Sequence, residues 1–176
     1  MVNQDYASAF NKALNIYTDK QYVSALHAFQ SLLKRKGLSA AQEAQLNRRI
    51  ANCYVQLGNS SKALPLYDHA LQLAQDDDYS RCWIFESKAN ALASLDKYDE
   101  AIDCYAEAIK LVNDPEDLEY LEQQFHELMS KYELYKVHGN FPEWKKDILN
   151  KILKSKKQLE EDDFWQSAQG KNIIKD

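Results

Sequence analysis

The chain is expected to be all-α, a right-handed α-solenoid of antiparallel helical hairpins, and two observations carry that expectation. Ala25, Ala63 and Ala101 stand 38 residues apart, Phe29, Tyr67 and Tyr105 follow each of them by four, and Leu32, Ala70 and Ala108 complete the set. Landmarks that recur in step define a repeat array. With only four Gly and three Pro in 176 residues, few positions interrupt a helix, and a 45% hydrophobic content suffices for a core.

The first helix is expected from about Asn3 to Thr18, with Phe10, Leu14 and Tyr17 on one face. Its return helix is expected from about Tyr22 to Lys36, ending in Lys34-Arg35-Lys36-Gly37. Positive charge suits the negative end of a helix, and Gly suits the exit. Ser39 followed by Gln42 reads as a capping box opening a helix from about Ala40 to Leu57. Leu57-Gly58-Asn59 is a stop and Ser60-Ser61 a start, so Ile50, Ala51 and Tyr54 face Ala63, Leu66, Tyr67, Ala70 and Leu71 across an antiparallel hairpin. Small residues at Ala51 and Ala63 let the backbones approach, and the rings of Tyr54 and Tyr67 fill the space beside them. Asp76-Asp77-Asp78 opens the next helix, about Tyr79 to Leu95, and Asn113-Asp114-Pro115-Glu116 starts a long one to about Val137. One such hairpin leaves a face bare, which the next one covers.

In order, a small residue, Tyr, Gly, Ala, Tyr and Ala stand at Ala51, Tyr54, Gly58, Ala63, Tyr67 and Ala70. The same places hold Ala13, Ile16, Lys20, Ala25, Phe29 and Leu32 one unit earlier, and Ala89, Leu92, Asp96, Ala101, Tyr105 and Ala108 one unit later. This pattern resembles the tetratricopeptide repeat. The resemblance divides the chain into three good units, about 6–39, 44–77 and 82–115, a degenerate fourth at 125–158, one domain over 1–160 and a partly capping tail at 161–176. The usual unit has about 34 residues; the four extra ones here amount to about one helical turn, expected as a longer first helix in each hairpin. In the fourth unit Tyr132 and Trp144 occupy places that want small residues, so its hairpin is expected to be splayed.

The resemblance implies a groove for a peptide or helix of a partner protein. Its lining is expected from Phe10, Leu14, Tyr17, Gln45, Arg48, Arg49, Asn52, Gln56, Trp83, Glu86 and Asn90. Phe10, Leu14 and Tyr17 form either an anchor pocket for a partner or a docking place for another part of this chain. Asn52 and Asn90 stand 38 residues apart, and an amide that both donates and accepts can hold an extended peptide whatever its side chains. Trp83 either faces the groove or packs on the added turn. Arg48 and Asn52 look like part of a clamp for chaperone tails, but Ser87 stands where that clamp wants Asn, and His126 and Ser130 where it wants Lys and Arg. Two adjacent arginines still favour an acidic or carboxylate-bearing partner.

Seven acidic residues lie between Asp114 and Glu133, and six lysines between Lys145 and Lys157, interleaved with Trp144, Ile148 and Ile152 as on an amphipathic helix. The aromatic pair Phe164-Trp165 is expected to cover an edge of the array. A net charge of −5 argues against nucleic acid, and neither a membrane span nor a signal peptide is legible. Cys53 and Cys104 read as apolar fillers in a reducing cytoplasm, with Cys82 the odd one out. The histidines His27, His69, His126 and His138 lack metal-ligand spacing, and no phosphate loop or nucleophile elbow appears, so neither enzyme nor cofactor nor metal is expected. The function expected is that of a cytoplasmic adaptor, monomeric or weakly dimeric. The alternative is a dedicated secretion-type chaperone or a toxin-neutralising immunity protein.

Overall fold

In the computed structural model the backbone is described from Val2 to Tyr135, and side chains from Asp5 to Ser130. Seven helices and no strand appear among the described residues: α1 Val2–Thr18, α2 Tyr22–Leu33, α3 Ala40–Gln56, α4 Ser60–Leu73, α5 Asp78–Ala93, α6 Tyr98–Leu111 and α7 Pro115–Tyr135. The protein is an all-α repeat solenoid of hairpins α1–α2, α3–α4 and α5–α6, followed by α7. Helices α1, α3 and α5 begin at residues 2, 40 and 78, and α2, α4 and α6 at 22, 60 and 98, so each set advances by 38. The added turn lies at the N-terminal end of α1, α3 and α5, the longer partner in each hairpin. The expected fourth hairpin to 158, the tail 161–176, the lysine stripe and Phe164-Trp165 lie outside the described residues.

The exits of α1, α3 and α5 are one turn built three times. At the middle one Asn59 N–H donates to Tyr54 O at 2.8 Å and Gly58 N–H to Val55 O at 2.9 Å. The first has Gln21 to Ile16 and Lys20 to Tyr17, the third Lys97 to Leu92 and Asp96 to Ala93. This double closure requires a left-handed residue after the helix. Gly58 supplies it at φ +73°, but its equivalents are Lys20 at +59° and Asp96 at +58°, where a side chain makes that conformation costly.

The helix starts mostly follow the sequence. Ser39 Oγ accepts from Gln42 N–H at 3.2 Å and Gln42 Oε1 from Ser39 N–H at 2.9 Å, a reciprocal cap. Asp77 caps α5 through Ser80 N–H at 3.0 Å, and Asp114 caps α7 through the N–H groups of Glu116 and Asp117. At α4 the cap is Asn59, whose side chain donates back to Leu57 O at 3.0 Å and makes no capping bond; Ser60 is buried, its Oγ 2.6 Å from Ser94 Oγ. Helix α2 ends at Leu33, three residues short of the expected Lys36. The basic cluster therefore lies in the exit, where Gly37 turns at φ +80° and Arg35 reaches Asp5 of α1 at 3.1 Å.

The core alternates very small and very large residues, as close backbone approach requires. Ala25, Ala51, Ala63, Ala70, Ala89, Ala101 and Ala108 are sealed, with Phe29, Tyr67, Tyr105 and Phe125 beside them. All three cysteines are free and buried, Cys82 as completely as Cys53. Burial pushes each of their thiols up to about 11.

Candidate partner-binding face

Two hollows open between α3 and α5, one at each end of the pair. The first, about 220 Å³, lies among Gln42, Gln45, Arg48, Tyr79 and Trp83. The second, about 210 Å³, lies among Tyr17, Asn52, Gln56, Tyr67, Glu86 and Asn90. Eight of the eleven side chains expected on the groove line one or the other. Arg49 is half-buried beside them, and Leu14 packs on the apolar core of the first hairpin.

Phe10 departs from the expectation. It is 6% exposed, its ring 5.9 Å from Tyr6 and 5.7 Å from Phe29. The stripe that α1 turns inward is Tyr6, Phe10 and Ala13, spaced i, i+4 and i+7 and all buried. Leu14 and Tyr17 sit one step round the helix, where Tyr17 joins the second hollow and Phe10 cannot.

The two asparagines are each anchored by the buried tyrosine of the return helix. Tyr67 donates its hydroxyl to Asn52 Oδ1 at 2.7 Å, and Tyr105 to Asn90 Oδ1 at 2.8 Å. The carbonyl end of each amide is thereby fixed. One turn earlier the units differ. Glu86 precedes Asn90 and accepts from its Nδ2 at 2.7 Å, whereas Arg48 precedes Asn52, whose Nδ2 has no bond among the described residues. Asn52 is held by its oxygen at the wall of the second hollow with its NH₂ uncommitted among the described residues, and Asn90 is already committed.

Glu86 accepts from Asn90 Nδ2 at 2.7 Å and from Ser87 Oγ at 3.1 Å. Burial raises its pKa, opposed by the Ser87 bond, Arg48, the Asn90 bond and Arg49. Arg48 and Arg49 are held below the usual guanidinium range, Arg48 down to about 10, chiefly because they are desolvated. Neither pairs with a carboxylate at ion-pair distance among the described residues, and the buried Nε of Arg49 has no acceptor there. Such cations gain most from an anionic acceptor brought by a ligand.

Trp83 lines the first hollow and also touches the added turn, its ring 6.2 Å from Tyr79 and 5.9 Å from Tyr120. Tyr79 and Tyr120 were not legible as site residues. Tyr79 lies in the added turn, outside the repeat's own pattern, and Tyr120 comes from α7. No group of His, Cys, Asp or Glu suited to a metal occurs among the described residues, and none of their helices is long and apolar enough to cross a membrane.

A helical repeat array with paired amides and unpaired arginines on one face has the form of a protein-interaction module. Residues 42–114, from α3 to α6, match the family model of the tetratricopeptide repeat. The TPR domain of P58(IPK) is 19% identical at a TM-score of 0.56, covering 73% of this chain, which spans only 35% of that one. The Yersinia enterocolitica type III secretion chaperone SycD, in complex with a peptide of the translocator YopD, is 16% identical at a TM-score of 0.61, with 76% of this chain and 95% of that one covered. PcrH in complex with the chaperone binding region of PopD is 16% identical at 0.61, with 75% and 96% covered. These likenesses are of fold. No match was found among curated proteins.

Proposed function

We propose that the protein is a non-enzymatic adaptor that holds a peptide or helix of a partner protein on the face between α3 and α5. The observation that supports it best is the Tyr67–Asn52 bond, which fixes by its oxygen a side-chain amide that lines a hollow. A donor held in place loses little freedom on binding a peptide carbonyl. Arg48 and Arg49, desolvated and unpaired, favour a segment bearing carboxylates. The protein acts in the cytoplasm as a monomer or weak homodimer and uses neither cofactor nor metal.

SycD and PcrH are bound to peptides of their own translocators. At 16% identity that likeness does not favour a dedicated secretion chaperone or an immunity protein here. The test is affinity capture from the native cytosol with the wild type beside an Arg48→Glu, Asn52→Ala double variant of unchanged helical circular dichroism. A partner retained by the wild type and lost from the variant supports the reading. A partner held equally by both overturns it.

A further inference from the structure

The hollow between the first turns of α3 and α5 belongs to this chain's longer repeat. Gln42 lies in the added turn of α3 and Tyr79 and Ser80 in that of α5, and all three form its wall with Arg48 and Trp83. A 34-residue unit has no such turn. At about 220 Å³ the space equals roughly seven waters, or one large side chain.

Its surroundings are apolar and aromatic on one side and cationic on the other. The exposed large apolar or aromatic residues among those described are Val23, Tyr79 and Tyr120, and the last two both touch Trp83. Scattered exposed rings need no explanation; rings gathered about a hollow mark a contact surface. Trp, Tyr and Arg are also the residues on which binding energy concentrates. The acidic start of α5 is partly spoken for, with Asp78 paired to Arg81 at 3.1 Å and Asp77 capping Ser80. Those carboxylates still repel an anion from that rim, leaving Arg48 as the place where one is welcome.

We propose that this hollow takes an aromatic or long aliphatic side chain from a linear segment of a partner protein, with a carboxylate of the same segment one or two residues away on Arg48. The proposal rests on the adaptor reading and adds the register: the apolar anchor enters against Tyr79 and Trp83, and the acid points away from Asp77 and Asp78. Gln42, whose Oε1 caps α3, has its Nε2 left to serve the segment's backbone.

The test selects random dodecapeptides displayed on phage against the full chain. The enriched peptides are then synthesised with a fluorophore and titrated by anisotropy against wild type, Tyr79→Ala, Arg48→Gln and Asn52→Ala, each checked by circular dichroism. Tyr79 is 67% exposed, so its truncation leaves the fold intact. The expected result is a large apolar residue with Asp or Glu within two positions. Affinity for such a peptide falls about tenfold in Tyr79→Ala and in Arg48→Gln, and Tyr79→Ala costs little more once the peptide's apolar residue is itself Ala. Peptides lacking that pair, or indifferent to Tyr79→Ala and Arg48→Gln yet lost from Asn52→Ala, overturn this proposal and leave the adaptor reading standing. Peptides indifferent to all three variants, or no enrichment at all, overturn both.

Discussion

Replacing Tyr67 by Phe should destabilise the wild type and stabilise an Asn52→Ala background, a reversal of sign that follows from burial. Tyr67 is 1% exposed and donates to Asn52 Oδ1, whereas Asn52 is half-buried beside the second hollow. In the wild type Tyr67→Phe removes one hydrogen bond, and the freed amide oxygen can take a water, so the cost is about 0.5–1 kcal/mol. Asn52→Ala instead orphans a buried hydroxyl, worth about 1–3 kcal/mol, of which roughly half a kcal/mol returns through the better helix propensity of Ala. Adding Tyr67→Phe then deletes the orphan and recovers about 0.5–1 kcal/mol, toward the lower end because the hollow admits water. Urea unfolding of the four proteins, followed by circular dichroism, gives the cycle. Equal destabilisation by Tyr67→Phe in both backgrounds would refute the anchoring of Asn52.

Three further outcomes follow from the backbone and the core. Lys20→Gly relieves a left-handed Lys and should stabilise by about 0.5 kcal/mol after the entropy of the unfolded Gly is subtracted; Asp96→Gly should gain less, since Asp tolerates that conformation better, and both show as shifts in the urea midpoint. Pro65 is exposed inside α4 and denies one backbone bond, so Pro65→Ala should raise stability by about 1–3 kcal/mol, read from thermal unfolding. Ala63 is fully buried, and Ala63→Leu should cost about 1–3 kcal/mol by overpacking; an unchanged melting temperature would sink the packing described for that hairpin.

The fold was legible because its rules are local and repeated. Small residues at Ala25, Ala63 and Ala101 and rings four residues on leave one way to pair the helices, and Ser39, Asp77 and Asp114 announce their helices by side-chain chemistry. Among the exits of α1, α3 and α5, only the one at Gly58 was legible. Nothing in the residue types Lys20 or Asp96 demands a positive φ; the turn is imposed there by its two flanking helices. At the site, spacing found Asn52 and Asn90 but not that they differ. That difference lies one turn earlier, where Glu86 claims an amide and Arg48 does not, so a Glu four residues before an Asn was the available sign. Phe10 was misplaced because α1 is apolar around more than one stripe, and only packing against Phe29 chooses between them. Tyr79 was out of reach of a reading built on the repeat's own positions.

The bonds that define the site join residues 15 apart in sequence, Tyr67 to Asn52 and Tyr105 to Asn90. Loops that short close at small entropic cost, so each amide can be set as soon as its own hairpin forms. Assembly then proceeds by zipping from whichever hairpin closes first, and opening proceeds from an end of the row inward. The hollows are later events, since each needs α3 and α5 side by side. A partner seated across that junction would therefore act as a clasp between neighbouring units, slowing the loss of the inner ones while the outer ones still fray.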